Sequence, residues 1–251
     1  MVNGEIEQTA TWVYSGQVLE LIEDPNKQQK VYEFNLEVIF EDDHFAVINK
    51  PAGITVSGNS FKTIANALPY NLRKSIQPDA VFIPTPVHRL DNQTSGILLI
   101  AKTKTAQIEL GKQFKNQTIQ KKYSAIVIGE VLKNQLINFP IENKPSETSF
   151  EIIKVVKSLK FKELTYLKAF PKTGRTHQIR IHMAGIGHPI FGDKLYGNPE
   201  TIHKGKGLFL CASEIVFLHP TTFMQTTIKI NLPQKFTTIL AREERRWNSK
   251  T

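Results

Sequence analysis

The feature that most constrains this chain is a series of short apolar runs, each of strand length and bounded by turn-forming residues. Runs of about four to eight residues rich in β-branched and aromatic side chains are typical of strands. The first two flank the polar cluster Glu41-Asp42-Asp43-His44, which predicts a β-hairpin. A sheet is therefore the predicted centre of the fold. The runs lie at residues 38–40, 45–48, 97–101, 123–128 and 164–170.

Three helices are predicted beside these strands. The first follows Ser60 as its cap, the second begins near Thr105, and the third follows Pro233. Many strands with a few interspersed helices predict an α+β fold rather than a regular parallel one. The apolar residues at helical spacing are Phe61, Ile64, Ala65 and Leu68 in the first helix, Ala106, Leu110 and Phe114 in the second, and Phe236 and Leu240 in the third.

The domain organisation predicted from these segments has three parts. Residues 1–35 contain one strand-like stretch at 17–22 and a polar linker at 23–30, which is too little for an independent core. We therefore expect an arm packed on a main domain of residues 36–232. Residues 233–251 are expected to form a basic helix packed on that domain. Its arginines are Arg242, Arg245 and Arg246.

The charge balance favours a negatively charged partner. The chain has 32 Lys and Arg against 23 Asp and Glu, a formal net charge of +9, and binding to phosphates releases condensed counterions. Cys211 is the only cysteine, which suits a reducing cytoplasm. The N-terminus lacks the pattern of a signal peptide, and no apolar run approaches the ~20 residues of a membrane-spanning helix. We expect a soluble cytoplasmic protein with no membrane partner.

Several chemistries are excluded by missing motifs. The sequence has no phosphate-binding loop of the Gly-x-x-x-x-Gly-Lys type, no Gly-x-Gly-x-x-Gly turn and no Gly-x-Ser-x-Gly elbow. His177 and His182 have no glutamate beside them, and Cys211 has no partner thiolate, so a zinc site is not expected. We predict neither a metal nor an organic cofactor.

Two polar segments stand out as candidates for chemistry. Residues 86–96 immediately precede the apolar run at 97–101 and contain Asp91 and Thr94, which alternatively serve only to satisfy turn amides. In residues 171–185, Gly174 permits a tight turn and Thr176 can cap a short helix that suits phosphate or carboxylate binding. The alternative for this second segment is a solvated basic helix. Its arginines and histidines are Arg175, His177, Arg180 and His182.

A third segment, Gln120-Lys121-Lys122-Tyr123, leads a basic pair into an aromatic residue, although Tyr123 is equally typical of the edge of a core. Taken in order, the segments closely resemble the RluA-type pseudouridine synthases, from about residue 38 to about residue 220. The motifs that carry the resemblance are Asn49-Lys50-Pro51-Ala52-Gly53, His88-Arg89-Leu90-Asp91 with Thr94-Ser95-Gly96, Lys122-Tyr123, Gly174-Arg175-Thr176-His177-Gln178-Ile179-Arg180, and His188-Pro189-Ile190-Phe191-Gly192-Asp193-Lys194-Leu195-Tyr196-Gly197.

The resemblance implies a mixed, largely antiparallel sheet with flanking helices and a central RNA-binding cleft. It implies isomerisation of uridine to pseudouridine in ribosomal or transfer RNA, without a cofactor or an obligate protein partner, by a monomer. Asp91 is the implied nucleophile, Tyr123 the active-site tyrosine and Arg180 the partner of the carboxylate. Arg89 corresponds to the arginine that fills the space left by a flipped uridine. The further substrate contacts expected are His88, Arg175, His177 and Lys122.

The sequence departs from the common family layout at its N-terminal end, because residues 1–35 are too short for the small RNA-binding module of many members. The polar insert at residues 201–207 has no assigned role. Two rival functions remain at this point. One is an RNA-binding protein of the same fold without catalysis, which would not need Asp91, Tyr123 and Arg180 together. The other is an RNA methyltransferase, which the missing glycine-rich turn disfavours.

Overall fold

A computed structural model describes residues 1–8, 10–20, 31–197 and 207–250. Its elements follow the chain in the order β1 (Glu37–Glu41), β2 (Phe45–Lys50), α1 (Ile64–Asn71), β3 (Ala80–Pro86), β4 (Ser95–Thr103), α2 (Lys104–Lys115), β5 (Gln120–Ile128), β6 (Gln135–Ile137), β7 (Thr148–Ser158), β8 (Lys162–Pro171), α3 (Gln178–Gly185), β9 (Leu210–Leu218), β10 (Gln225–Lys229) and α4 (Lys235–Asn248).

The ten strands form one sheet in the order β1-β2-β4-β9-β5-β8-β7-β6, with β3 also paired to β4 and β10 to β9. Strands β4 and β9 run parallel, whereas the other pairs in the described sheet are antiparallel. The predicted hairpin is β1–β2. A mixed, largely antiparallel sheet with four helices confirms the predicted α+β class.

The parallel contact between β4 and β9 requires a glycine. Gly96 has a φ of +115°, and a Cβ atom there would lie 2.2 Å from the carbonyl oxygen of Ala212. On its other side β9 pairs with β5, which sets Tyr123 opposite the same Ala212. Strand β9 therefore brings the loop before β4 and the beginning of β5 to neighbouring positions.

Strand β4 is buried along its whole length and separates two parts of the core. Successive side chains of a strand point to opposite faces of the sheet, so each helix covers one set. Leu98 and Ile100 pack with the buried residues of α1, and Ile97 and Leu99 pack with those of α2. The α1 residues are Ile64, Ala67 and Leu68, and the α2 residues are Ala106 and Leu110.

The predicted helix starts need correction. Ser60 does not cap α1; the helix begins at Ile64, and the hydroxyl of Thr63 accepts the amide of Asn66 at 3.2 Å. Phe61 consequently lies outside the helix. Helix α2 begins one residue before the predicted Thr105, with Thr103 as its cap. Five of the ten strands were not predicted: β3, β6, β7, β9 and β10. In β7, charged residues on the outer face obscure the apolar pattern.

Helix α4 is attached through both apolar and polar contacts. Phe236 and Ile239 are buried in a cluster with side chains of β7, β8 and β9. Glu243 is 2% exposed and accepts a hydrogen bond from the Ser158 hydroxyl at 2.7 Å, while Arg242 donates to its other oxygen at 3.1 Å. The charges at this end of the helix therefore also serve to hold it in place.

The chain divides into two compact units, Met1–Lys30 and Val31–Thr251. In the first unit, the amide of Asn3 donates to the carbonyl of Val18 at 2.8 Å, and Leu19 forms an isolated bridge with Val2. The described part of the predicted strand at 17–22, as far as Glu20, contains only this bridge. The predicted linker at 23–30 lies outside the described residues, as does the insert at 201–207 apart from Gly207. No helix in the described ranges is long and apolar enough to cross a bilayer.

Two glycine substitutions test the β4–β9 contact. Gly96→Ala should lower the free energy of unfolding by about 3 kcal/mol, because it combines backbone strain with overpacking against Ala212. Gly111→Ala in α2 is the matched control, since its Cβ would meet nothing within 4 Å. It should raise the free energy of unfolding by roughly 0.5–1 kcal/mol through helix propensity. Urea unfolding measures the free energy of unfolding of both variants. A Gly96→Ala variant as stable as the wild type would contradict the proposal that the β4–β9 contact requires a glycine.

Candidate active site

The loop between β3 and β4 presents Asp91 at the mouth of a cleft. The main-chain carbonyl of Asp91, rather than its carboxylate, accepts the amide of Thr94 at 3.1 Å. The Thr94 hydroxyl is buried and has no hydrogen-bond partner among the described residues. Neither side chain therefore serves to satisfy turn amides, which was the alternative interpretation of this segment.

Lys50 at the end of β2 fixes this loop from beneath. It is fully buried, and its ammonium donates to the carbonyls of Pro51, Asn92 and Thr94 at 2.9, 3.1 and 2.9 Å. Burial lowers the pKa of Lys50 to about 8, and the negative charge of Asp91 opposes that shift. Lys50 belongs to one of the motifs that carry the family resemblance, but its position in the sequence did not predict this role.

The side chains of Arg180 and His177 flank the Asp91 carboxylate. Nη1 of Arg180 lies 3.8 Å from Oδ2, and Nε2 of His177 lies 3.9 Å from Oδ1. The carboxylate itself is 18% exposed, so it faces the cleft while remaining largely shielded from water. The predicted proximity of Arg180 and Asp91 is present in the structure.

Arg180 is held mainly by a second carboxylate. Its Nε and Nη2 donate to Oδ2 and Oδ1 of the buried Asp193 at 2.7 and 2.8 Å. Burial opposes the charge on Arg180, but the hydrogen bonds and charge of Asp193, with a contribution from Asp91, raise its pKa above the ordinary value. Asp193 was quoted in a family motif without a role, and nothing in its sequence context indicated this pairing.

The segment before α3 is built differently from its prediction. Thr176 does not cap the helix; α3 begins at Gln178 and is preceded by His177 in a left-handed conformation, with φ of 54°. The Gln178 side chain stabilises the turn instead, because its Oε1 accepts the Arg175 amide at 3.0 Å and the Thr173 hydroxyl at 2.6 Å. This turn places the imidazole of His177 beside Asp91.

Tyr123 lines the same cleft as Asp91. Its half-buried ring packs against clusters on both sides of the β4–β9 contact, which include Leu90 and Ile179. Burial raises the pKa of its hydroxyl above the usual range, and the negative charge of Asp91 adds to that effect. The phenol therefore stays protonated near neutral pH.

The other predicted contacts divide into two groups. Arg89 is exposed on the cleft wall, and Arg175 also lines the cleft while its Nε donates to the Pro145 carbonyl at 3.0 Å. His88 borders the cleft, but its Nε2 accepts the Leu99 amide at 3.0 Å. Burial lowers the pKa of His88 to about 4, so its ring is neutral. His88 therefore stabilises the loop through this hydrogen bond and does not present a positive charge to the cleft.

The structure places Lys122 and Lys121 in different environments. Nζ of Lys122 pairs with Glu214 at 3.0 Å and does not line the cleft. Lys121 does line the cleft, and its Nζ donates to the Thr173 carbonyl at 2.9 Å. Burial lowers the pKa of Lys121 to about 8. Alternation along a strand explains the difference, because neighbouring residues of β5 face opposite sides.

The cleft has a volume of about 410 Å³, which falls within the range of about 300–1,000 Å³ common for small-molecule sites. Asp91 is the single carboxylate among the described residues that line it. Ionised or hydrogen-bonding groups surround an apolar floor of Leu90, Ile179 and Leu210. The site can thus admit a flat uncharged ring beside a carboxylate and bind phosphates at its rim. The basic lining residues are Arg89, Lys115, Lys121, Lys172 and Arg175.

Known proteins are similar to this chain in sequence and in fold. Residues 44–185 match the model of the RNA pseudouridylate synthase family. The chain is 40% identical over 229 residues to ribosomal large subunit pseudouridine synthase C of Vibrio vulnificus, with 82% of this chain and 68% of that protein covered. It is 32% identical over 269 residues to ribosomal large subunit pseudouridine synthase D of Xylella fastidiosa, with 96% and 80% covered.

A solved structure, human RNA pseudouridylate synthase domain containing 1, superposes with a TM-score of 0.65 at 24% identity, over 79% of this chain and 84% of that one, and so supports the fold. The family match covers more than half of the chain, and both bacterial relatives exceed 30% identity over most of it. This chain therefore belongs to the RNA pseudouridylate synthase family.

Proposed function

We propose that this RNA pseudouridine synthase acts on ribosomal RNA of the large subunit, with Asp91 as its nucleophile. The isomerase activity follows from the family. The choice of RNA rests on two relatives named as ribosomal large subunit pseudouridine synthases, and it narrows the earlier choice between ribosomal and transfer RNA. We further propose that the enzyme works in the cytoplasm, as a monomer without an obligate protein partner.

The observation that carries the role of Asp91 is a lone carboxylate in a cleft otherwise rimmed by cations. During the reaction the N1–C1′ bond breaks, the uracil turns while still bound, and a C5–C1′ bond forms as the C5 proton is lost and N1 is protonated. A carboxylate that attacks the nucleotide and later leaves divides this exchange into easier steps. Nitrogens of Arg180 and His177 face the two oxygens of Asp91, so both side chains are placed to orient the carboxylate for this attack.

The raised pKa of Tyr123 limits what this residue does. A phenol that stays protonated is a poor base, so we propose that its ring supports the flat uracil and that its hydroxyl donates a hydrogen bond rather than accepting the C5 proton. Its position opposite Ala212, beside the loop of Asp91, fits a base held between the two.

Access to a paired uridine requires base flipping, at a cost of a few kcal/mol of unstacking. Arg89 is suited to fill the vacated space, because it is exposed on the cleft wall. Lys121 and Arg175 are suited to hold phosphates beside the flipped nucleotide. The arginines of α4 are less suited to bind RNA phosphates, because Arg242 and Arg246 both lie near the buried carboxylate of Glu243.

Replacing the proposed nucleophile is the primary test. Asp91→Asn should lower the rate of pseudouridine formation on large-subunit RNA by about 10⁴-fold or more, on the scale seen when a covalent nucleophile is removed. The amide is nearly isosteric, so RNA affinity and the melting temperature should remain close to those of the wild type. A variant that retains a tenth of the wild-type rate would remove Asp91 from the mechanism.

The adjacent lysines provide a matched pair for RNA binding. Lys121→Ala should weaken binding and reduce the slope of log affinity against log salt by roughly 0.7–0.9, the value for one lost phosphate contact. Lys122→Ala should leave that slope unchanged, because Lys122 pairs with Glu214.

The contribution of Lys121 to RNA affinity should also depend on pH. A lysine with a pKa of about 8 is charged below that pH and loses its charge above it. The difference in affinity between wild type and Lys121→Ala should therefore shrink as the pH rises through 8. Filter binding across pH 6.5–9 (a chosen window) measures it. A reduced slope for Lys122→Ala instead would reverse the assignment of the two lysines.

Arg89→Ala tests the proposed support of base flipping. Turnover should slow on an RNA in which the target uridine is paired, and change less on an unpaired RNA, because only the paired substrate requires unstacking. Single-turnover rates on two oligonucleotides with the same target sequence provide the comparison. Equal slowing on both would indicate a phosphate contact rather than occupation of the vacated space.

A further inference from the structure

The turn formed by residues 193–196 follows α3 and does not line the cleft, yet its side chains contact both side chains that flank Asp91, Arg180 and His177. The carboxylate of Asp193 binds Arg180, and the hydroxyl of Tyr196 lies 3.0 Å from Nδ1 of His177. We propose that this 193–196 turn is a positioning unit that sets Arg180 and His177 against the two oxygens of Asp91. The proposal rests on the proposed role of Asp91 as nucleophile.

The turn is rigid enough to serve as a reference point. Oδ1 of Asp193 accepts the amides of Leu195 and Tyr196 at 2.9 and 3.1 Å, which closes the turn around the carboxylate. A Cβ on Gly197 would lie 2.2 Å from the Asp193 carbonyl oxygen, and a Cβ on Gly192 would lie 2.0 Å from the Gly207 carbonyl oxygen. Close backbone packing on both sides therefore fixes where the Asp193 carboxylate stands.

The first arm of this unit runs through Arg180. A guanidinium presents its donors in a fixed planar fork, so engaging one edge determines where the others point. Asp193 engages Nε and Nη2, and Nη1 is left facing Asp91 at 3.8 Å. The Tyr196 ring lies against the same guanidinium, with its centroid 5.1 Å from Cζ. Asp193 thereby keeps Arg180 near Asp91 without a tight bidentate pair that would occupy the attacking oxygens.

The second arm runs through His177. Burial raises the pKa of Tyr196, so its hydroxyl is protonated and can donate to Nδ1. A neutral imidazole that accepts at Nδ1 carries its own proton on Nε2, which is the nitrogen facing Oδ1 of Asp91 at 3.9 Å. The hydroxyl of Tyr196 thus selects the tautomer that presents a donor to the carboxylate.

The two arms can be tested separately in the full-length enzyme. Asp193→Asn should lower kcat by roughly 100-fold, the order expected when a catalytic contact is misplaced by about 1 Å, while KM on the RNA stays within about twofold. Tyr196→Phe keeps the ring against Arg180 and should lower kcat by about two- to tenfold, the range that one hydrogen bond supports. Leu195→Ala, in the same turn but with a side chain 61% exposed, is the control and should match the wild type.

A double-mutant cycle distinguishes positioning from a general loss of structure. Arg180→Met leaves the buried Asp193 without its partner and should lower the melting temperature; adding Asp193→Asn removes the unpaired charge and should restore part of it. The kcat of the double variant should equal that of Arg180→Met, because Asp193 acts through Arg180. Independent, multiplicative losses in kcat would overturn the first arm, as would a wild-type kcat for Asp193→Asn.

The other possible results distinguish the positioning unit from the proposed nucleophile. If Asp193→Asn does not fold, Tyr196→Phe still tests the unit, and a wild-type kcat for that variant would overturn the second arm. The kcat of Asp91→Asn, measured in parallel, separates the proposed role of Asp91 as nucleophile from the proposed role of the 193–196 turn. Loss of activity in Asp91→Asn together with full activity in the turn variants leaves the nucleophile in place and removes the positioning unit. Full activity in Asp91→Asn removes the proposed function itself.

Discussion

The close parallel contact of β4 with β9 is the constraint on which the rest of this structure depends. Only a residue without a Cβ fits at Gly96, because the Ala212 carbonyl occupies the space that a side chain would take. Strand β9 lies between β4 and β5, so this single approach decides how far the Asp91 loop stands from Tyr123. The two sides of the cleft come from distant parts of the chain, and their separation is set by one strand-to-strand distance.

The electrostatics of the cleft follow from burial around that contact. The Asp91 side chain is 18% exposed, and nitrogens of Arg180 and His177 face its two carboxylate oxygens. Arg180 also binds Asp193, with which it makes the shorter contacts, so a guanidinium lies beside the Asp91 carboxylate without pairing tightly with it. Lys50 fixes the loop through three carbonyls rather than through the carboxylate. Lys50 is thus bound to main-chain carbonyls and Arg180 to Asp193. The Asp91 carboxylate remains open to the cleft.

Local patterns predicted much of the fold and part of the site. The β1–β2 hairpin, the buried run of β4 and the existence of α1 and α2 follow from periodicity. The predicted helix starts at Ser60 and Thr176 were wrong, because hydroxyl residues elsewhere, or the Gln178 side chain, made the stabilising bonds. Strand β7 was missed because its outer face carries Lys and Glu, which dilutes the apolar signal. The family, its activity and the fold were recognised from ordered motifs, and the comparisons confirm them.

The sequence by itself determined which residue types are available, and in what order, because composition, motif order and periodicity are properties of the chain. Asp91, Tyr123 and Arg180 were predicted as site residues from the family resemblance that this motif order carries. The tertiary structure alone decided which of them meet and what else they contact. It separated Lys121 from Lys122 and made His88 a neutral support of the loop, since strand facing and burial depend on neighbours far along the chain. It also joined Asp193 to Arg180 and Tyr196 to His177, contacts that arise only when α3 and the turn after it are packed beside the β3–β4 loop.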